Sequence, residues 1–86
     1  MTFEDLKFEP RHGIPGIRAE VQFANGYGAS VIRGHGTYGG DQGLYELAVT
    51  QGDNLTYHTP ITDDVLGFLS EADVTKTLAD IEGLSA

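Results

Sequence analysis

Residues 17–23, IRAEVQF, alternate. Ile17, Ala19, Val21 and Phe23 fall on one side of an extended chain, and Arg18, Glu20 and Gln22 fall on the other. That pattern predicts a half-buried strand. Asn25-Gly26 follows, the pair favoured by a type I′ hairpin turn because both residues tolerate positive φ. YGASVIR (27–33) then reads as the returning arm. Its adjacent Val31 and Ile32 point to opposite faces, which predicts a strand covered on both sides, and Gly28 predicts a bulge or a close backbone approach. LYELAVT (44–50) alternates again, with Tyr45, Leu47 and Val49 opposed to Leu44, Glu46 and Ala48. QGDN (51–54) is a turn, and LTYH (55–58) closes a second hairpin. Upstream, LKFEPRH (6–12) predicts a short first strand. Pro10 has no N–H for a ladder, so this strand belongs at an edge, and GIPG (13–16) turns the chain after it.

The period changes in the last third. Thr62 is placed to cap a helical turn with Asp63 and Asp64 in it, kept short by Gly67. Ser70 with Asp73 reads as a capping box. Val74, Leu78 and Ile81 recur at i, i+4 and i+7, the apolar stripe of a helix over 71–82, with Gly83 placed to end it. The expected fold class is α+β. It is a small antiparallel β-meander of four to five strands, with a C-terminal helical region (a short turn plus one helix) packed on one face. Residues 1–86 form one domain, and the tails, 1–4 and 84–86, are expected to fray.

Composition narrows this further. A chain of 86 residues supports one core. With no cysteine there is no disulfide framework and no thiolate zinc site. The chain lacks an apolar run of about 18 residues, and MTFEDLKFEP has no signal-peptide core, so a cytoplasmic protein that does not enter a membrane is expected. Charge is the most informative quantity. Residues 1–40 hold four acids and four Lys or Arg, whereas residues 41–86 hold nine acids against Lys76 alone, which is the whole net charge of −8. Direct binding to nucleic acid is disfavoured, and a basic partner surface is attracted.

The candidate chemistry begins at GHGTYGG (34–40), which contains a literal G-x-G-x-x-G. A dinucleotide loop requires a helix after it, but here a strand follows. A kinase-type loop needs a lysine on the next strand, and LYELAVTQ has none. The stretch therefore reads as a mobile connection or a contact loop, with His35, Tyr38 and Asp41 as candidate partner-binding residues. His12, His35 and His58 are too widely spaced for a local metal motif. Folding could still join His12 and His58 to Asp63 or Asp64, and ordinary surface histidines are the plainer reading. Asp63 and Asp64 point about 100° apart on a helix and do not form a catalytic pair. No catalytic constellation, cofactor site or metal site is expected. Asp63, Asp64, Glu71, Asp73, Asp80 and Glu82 are either a solvated helix face or an acidic face for docking on lysines and arginines.

FANGYGASVIRG, TYGG…GLYELAV and LTYHTPITDDVLGFLSEADV together resemble a family of small phage and prophage proteins, over about residues 6–82. That family is taken to include anti-CRISPR inhibitors of type I complexes, type I-C among them. The resemblance implies a noncatalytic inhibitor that acts in the host cytosol. It would bind a Cas subunit of the surveillance complex and block target DNA. The resemblance brings no assigned functional residues. The net charge adds that the surface bound is basic, and a monomer is expected rather than a homodimer. Two other readings stay open: an accessory module with another host or virion target, and a binder of small molecules or nucleotide signals through the glycine loop.

Overall fold

A computed structural model of the chain describes residues 1–62 and 64–85. Six strands form one antiparallel sheet: β1 (Glu9–Pro10), β2 (Gly16–Gln22), β3 (Tyr27–Gly34), β4 (Tyr45–Gln51), β5 (Asn54–Leu55) and β6 (Leu66–Leu69). Strands β1 to β5 lie in chain order, and β6 returns to the same edge of β4 as β5 but at the other end. One helix, α1 (Glu71–Glu82), covers one face. The architecture is the α+β sheet-and-helix arrangement that the alternation and the stripe predict.

The register explains the core. Ala19 lies opposite Val31, which lies opposite Leu47, and Val21, Ala29 and Val49 form the next row. These side chains share the face on which Val74, Leu78 and Ile81 of α1 are completely buried. Each of these three contributes roughly 1.5–3 kcal/mol of transfer free energy. The other face of β3 is only partly covered, short of the expectation from Val31 and Ile32. Ser30 and Ile32 stay half-buried there, since the described helix α1 lies on the opposite side. Gly28 is a close approach, as anticipated: a Cβ there would run into the Val21 carbonyl and Thr50 Oγ1.

Several local expectations are corrected. The 6–12 strand is reduced to Glu9–Pro10, because the residues before it fold into a 3₁₀ turn, Phe3–Asp5, that packs inward. Phe3 and Phe8 meet Tyr45 at ring-centroid distances of 5.0 and 5.6 Å, and the Phe3 N–H donates to Thr75 Oγ1 of α1 at 2.9 Å. The N-terminal tail is thus pinned rather than frayed, and Leu84 at the other tail also packs on the core. The first hairpin does not use a type I′ turn. Gly26 N–H bonds the Phe23 carbonyl at 3.1 Å and Gly26 alone has positive φ, the pattern of a type I turn closed by a glycine bulge.

The short helical turn at Thr62 is replaced by strand. Thr62 Oγ1 accepts the Asp64 N–H at 3.1 Å, and Leu66–Leu69 pairs with β4. Nucleating a helix on four residues that include Gly67 is costly, whereas the free edge of β4 supplies ladder partners at once. Asp63 lies outside the described residues. Of the predicted 55–58 arm only Leu55 lies in β5, which instead takes in Asn54 from the predicted turn.

Candidate partner-binding surface

Two elements meet at the start of β4's outer edge: the glycine-rich loop 34–43 and β6. The loop is not a free connection. Thr37 Oγ1 accepts the Gly34 N–H at 3.0 Å and donates to the Gly34 carbonyl at 2.9 Å. The N–H groups of His35, Thr37, Gly40, Gln42, Gly43 and Leu44 all donate to backbone carbonyls. Tyr38 N–H donates to Glu46 Oε1 at 3.0 Å. A phosphate cradle needs amides of this kind free, and here they are committed to protein acceptors.

What the loop does present is Tyr38. Its side chain is 58% exposed, and its carbonyl accepts the Phe68 N–H of β6 at 3.1 Å. Gly67 lies beneath it, where a Cβ would come within 2.5 Å of Tyr38 Cβ, so only glycine lets the loop close on the strand. Phe68 is 54% exposed and has φ of 56°, the only described non-glycine residue with positive φ. A left-handed aromatic residue costs on the order of 1–3 kcal/mol and persists only where its surroundings hold it. Here the β4–β6 register shifts between Tyr45 and Leu47, and the Tyr38 carbonyl takes the displaced amide. The outcome is a pair of aromatic side chains held outward on fixed backbone.

The predicted site residues divide around this pair. His35 is exposed, with its N–H on the Pro15 carbonyl at 3.3 Å, and Asp41 is exposed on a 3₁₀ turn, Gly40–Gln42. Asp64 and Glu71 are exposed and flank Phe68 in the chain, whereas Asp63 is outside the described residues. Asp73 serves the helix: its Oδ2 accepts the Ser70 N–H at 3.0 Å and Ser70 Oγ accepts the Asp73 N–H at 3.1 Å. The Ser70 N–H and then the hydroxyl hold its carboxyl below the ordinary 3.8. Asp80 pairs with Lys76 at 2.9 Å and Glu82 with the Met1 amino group at 3.3 Å, both at the solvent surface. At about 3.6 residues per turn, Asp73 and Asp80 fall on one flank of the buried stripe and Glu71 and Glu82 on the other. The four acids on α1 therefore do not form one face. Along α1, Asp80 lies about 13 Å farther than Glu71.

Phe68 is not legible as a site residue in the sequence, because a helical turn starting at Thr62 leaves no residue that needs positive φ. The alternating Leu66 and Phe68 beside a flexible Gly67 was the available signal. Among the described residues no group of three His, Cys, Asp or Glu side chains is placed to hold a metal ion, so His12 and His58 do not meet in such a set. No described helix is long and apolar enough to cross a membrane. No family model matches the chain, and no curated protein or solved structure matches it significantly.

Proposed function

We propose that this chain is a noncatalytic, anti-CRISPR-like inhibitor. In this reading it binds a basic surface of a type I surveillance complex in the host cytosol and keeps target DNA off it. The observation that carries the reading is the Tyr38–Phe68 pair, displayed on fixed backbone in a chain of net charge −8. Tyr38 and Phe68 are both exposed and are joined through a backbone hydrogen bond, and exposed aromatic residues are the usual anchors of protein interfaces. Asp41 and Tyr38 belong to one loop, and Asp64 and Glu71 flank Phe68 in the chain; all three acids are exposed and suited to lysines and arginines that otherwise hold phosphates. Acidic charge raises the encounter rate, and the aromatic anchors slow dissociation. The choice of target class comes from the resemblance to phage inhibitors, and the charge supports a basic partner of any origin.

The test is co-purification with a type I surveillance complex and a DNA-binding assay of that complex. Wild-type protein should co-purify and abolish DNA binding, with weaker inhibition at higher salt. Phe68→Gly removes an anchor and relieves the left-handed strain, so it should weaken inhibition at least about tenfold while the fold is kept or stabilised. Tyr38→Ala should weaken it similarly. Double reversal of Asp64 and Glu71 to lysine should harm inhibition more than reversal of Asp80 and Glu82. Full inhibition by Phe68→Gly and Tyr38→Ala together would discard this surface, and failure to retain any type I complex would discard the target.

A further inference from the structure

The face of the sheet away from α1 holds a second feature, independent of the inhibitor reading. The 11–16 turn folds over β2 and β3 and leaves a cleft of about 320 Å³ lined by Arg11, His12, Ile14, Arg18, Ser30 and Ile32. That volume lies at the small end of the range of small-molecule sites. Two of the chain's five Lys and Arg residues border it, in a protein whose net charge is −8.

Arg11 is seated rather than loose. Its Nη1 donates to the Pro15 carbonyl at 3.3 Å and to the His35 carbonyl at 3.0 Å. These bonds to described residues use Nη1 only, so among those residues Nε and Nη2 have no acceptor. Two glycines make the seat. Gly16 and Gly34 pair across β2 and β3, and a Cβ on Gly16 would stand 2.8 Å from Arg11 Cδ and 2.5 Å from the Arg33 carbonyl. A Cβ on Gly34 would stand 2.5 Å from the Pro15 carbonyl, one of the two acceptors that hold the guanidinium. Gly34, the first glycine of GHGTYGG, therefore serves a cationic seat.

Arg18 lines the wall, with Nη1 3.1 Å from Glu20 Oε1 in a pair whose two side chains are about half exposed. Such a pair is weak and gives way to a better oxyanion. Glu9 lies opposite Arg18 across the β1–β2 ladder, so the rim carries two carboxylates beside two guanidiniums. The two guanidiniums suit one oxyanionic group, while the neighbouring carboxylates and the net charge of −8 disfavour a polyanion such as nucleic acid. Ile14 and Ile32 supply apolar walls, and Ser30 supplies a hydroxyl between them.

We infer that this cleft binds a small organic molecule carrying a single oxyanion, a carboxylate or a phosphate ester, on a short apolar body. Arg11 supplies a pre-organised planar fork, Arg18 a second cation, and Ile14 and Ile32 pack the body.

Amide chemical shifts of the whole chain, followed during titration with benzoate, phenyl phosphate and neutral benzyl alcohol, test this. Saturable shifts confined to residues 11–18 and 30–35 are expected with at least one anion and absent with benzyl alcohol. The stronger anion identifies carboxylate or phosphate as the source. Arg11→Lys, which keeps charge but loses the fork, should weaken binding about tenfold. Ile32→Glu should abolish it with the fold retained, and Lys76→Gln, on α1, should leave it unchanged. Non-saturating shifts spread over all cationic residues, equal binding of benzyl alcohol, or undiminished binding by folded Ile32→Glu would each overturn the assignment.

Discussion

The two ends of α1 are closed by different means. At the N-terminus the partners are three residues apart: Ser70 and Asp73 exchange hydrogen bonds, and their side chains satisfy two amides that the first turn leaves free. At the C-terminus the partner is remote. Asn25, in the first hairpin turn, donates from Nδ2 to the carbonyls of Ile81, Glu82 and Leu84 at 2.9, 3.2 and 3.0 Å. Its Oδ1 accepts the Tyr27 N–H at 3.0 Å, so one amide both shapes the turn and closes the helix. Gly83 stands at the helix end with φ of −85°, outside the left-handed region, so it stops the helix without the usual glycine cap. A terminus can thus be finished by its own sequence or by a neighbouring element, and only the first kind is written in one stretch of chain.

Three sets of measurements would break or sharpen that contrast. The largest effect is expected from Leu78→Ala. Leu78 is fully buried in the stripe that both ends flank, and its loss should cost about 2–5 kcal/mol in urea unfolding. Protection of both helix ends against hydrogen exchange should fall together. Asn25→Ala should cost about 2 kcal/mol, because several carbonyls lose a donor at once. Asn25→Asp should cost at least as much, since it sets a negative charge against those carbonyls and the negative end of the helix. In both variants the exchange of amides near residues 79–84 should quicken before that of residues 71–75, and equal quickening would refute the remote cap.

The local cap should matter least. Ser70→Ala should cost about 1 kcal/mol. Asp73 contributes a pH dependence of known sign. Its folded value lies below the ordinary 3.8, so its stabilisation is complete above that value and is lost as pH falls through the folded value. Asp5, lowered by the Thr2 N–H, behaves alike at the 3₁₀ turn. Asp73→Asn should therefore flatten the acid limb of urea midpoints between about pH 2 and about pH 5, leaving the part due to Asp5. An unchanged limb would show that Asp73 does not titrate in its cap.

The same distinction explains what could be read in advance. β2, β4 and α1 were legible because alternation and the Val74–Leu78–Ile81 stripe repeat within one segment and each needs only a single apolar face to bury. β6 was not, because LGFL has no strong preference of its own, and the vacant edge of β4 decided it. Tyr38 was legible as an aromatic residue among glycines. Its companion Phe68 was not, since positive φ at that position arises from a register shift between two strands distant in sequence. Arg11 and Arg18 could be counted as charges, but the cleft between them exists only because Gly16 and Gly34 meet across two strands.

By itself, then, the sequence determined the α+β class, the two long hairpin arms, the helix with its N-terminal cap, and the concentration of acidic charge after residue 40. Those follow from periodicity, local hydrogen bonding and composition, which act over a few residues. The tertiary structure alone decided the C-terminal cap by Asn25, the aromatic pair at Tyr38 and Phe68, and the seat of Arg11. Each depends on the distance between residues remote in the chain, which only packing sets.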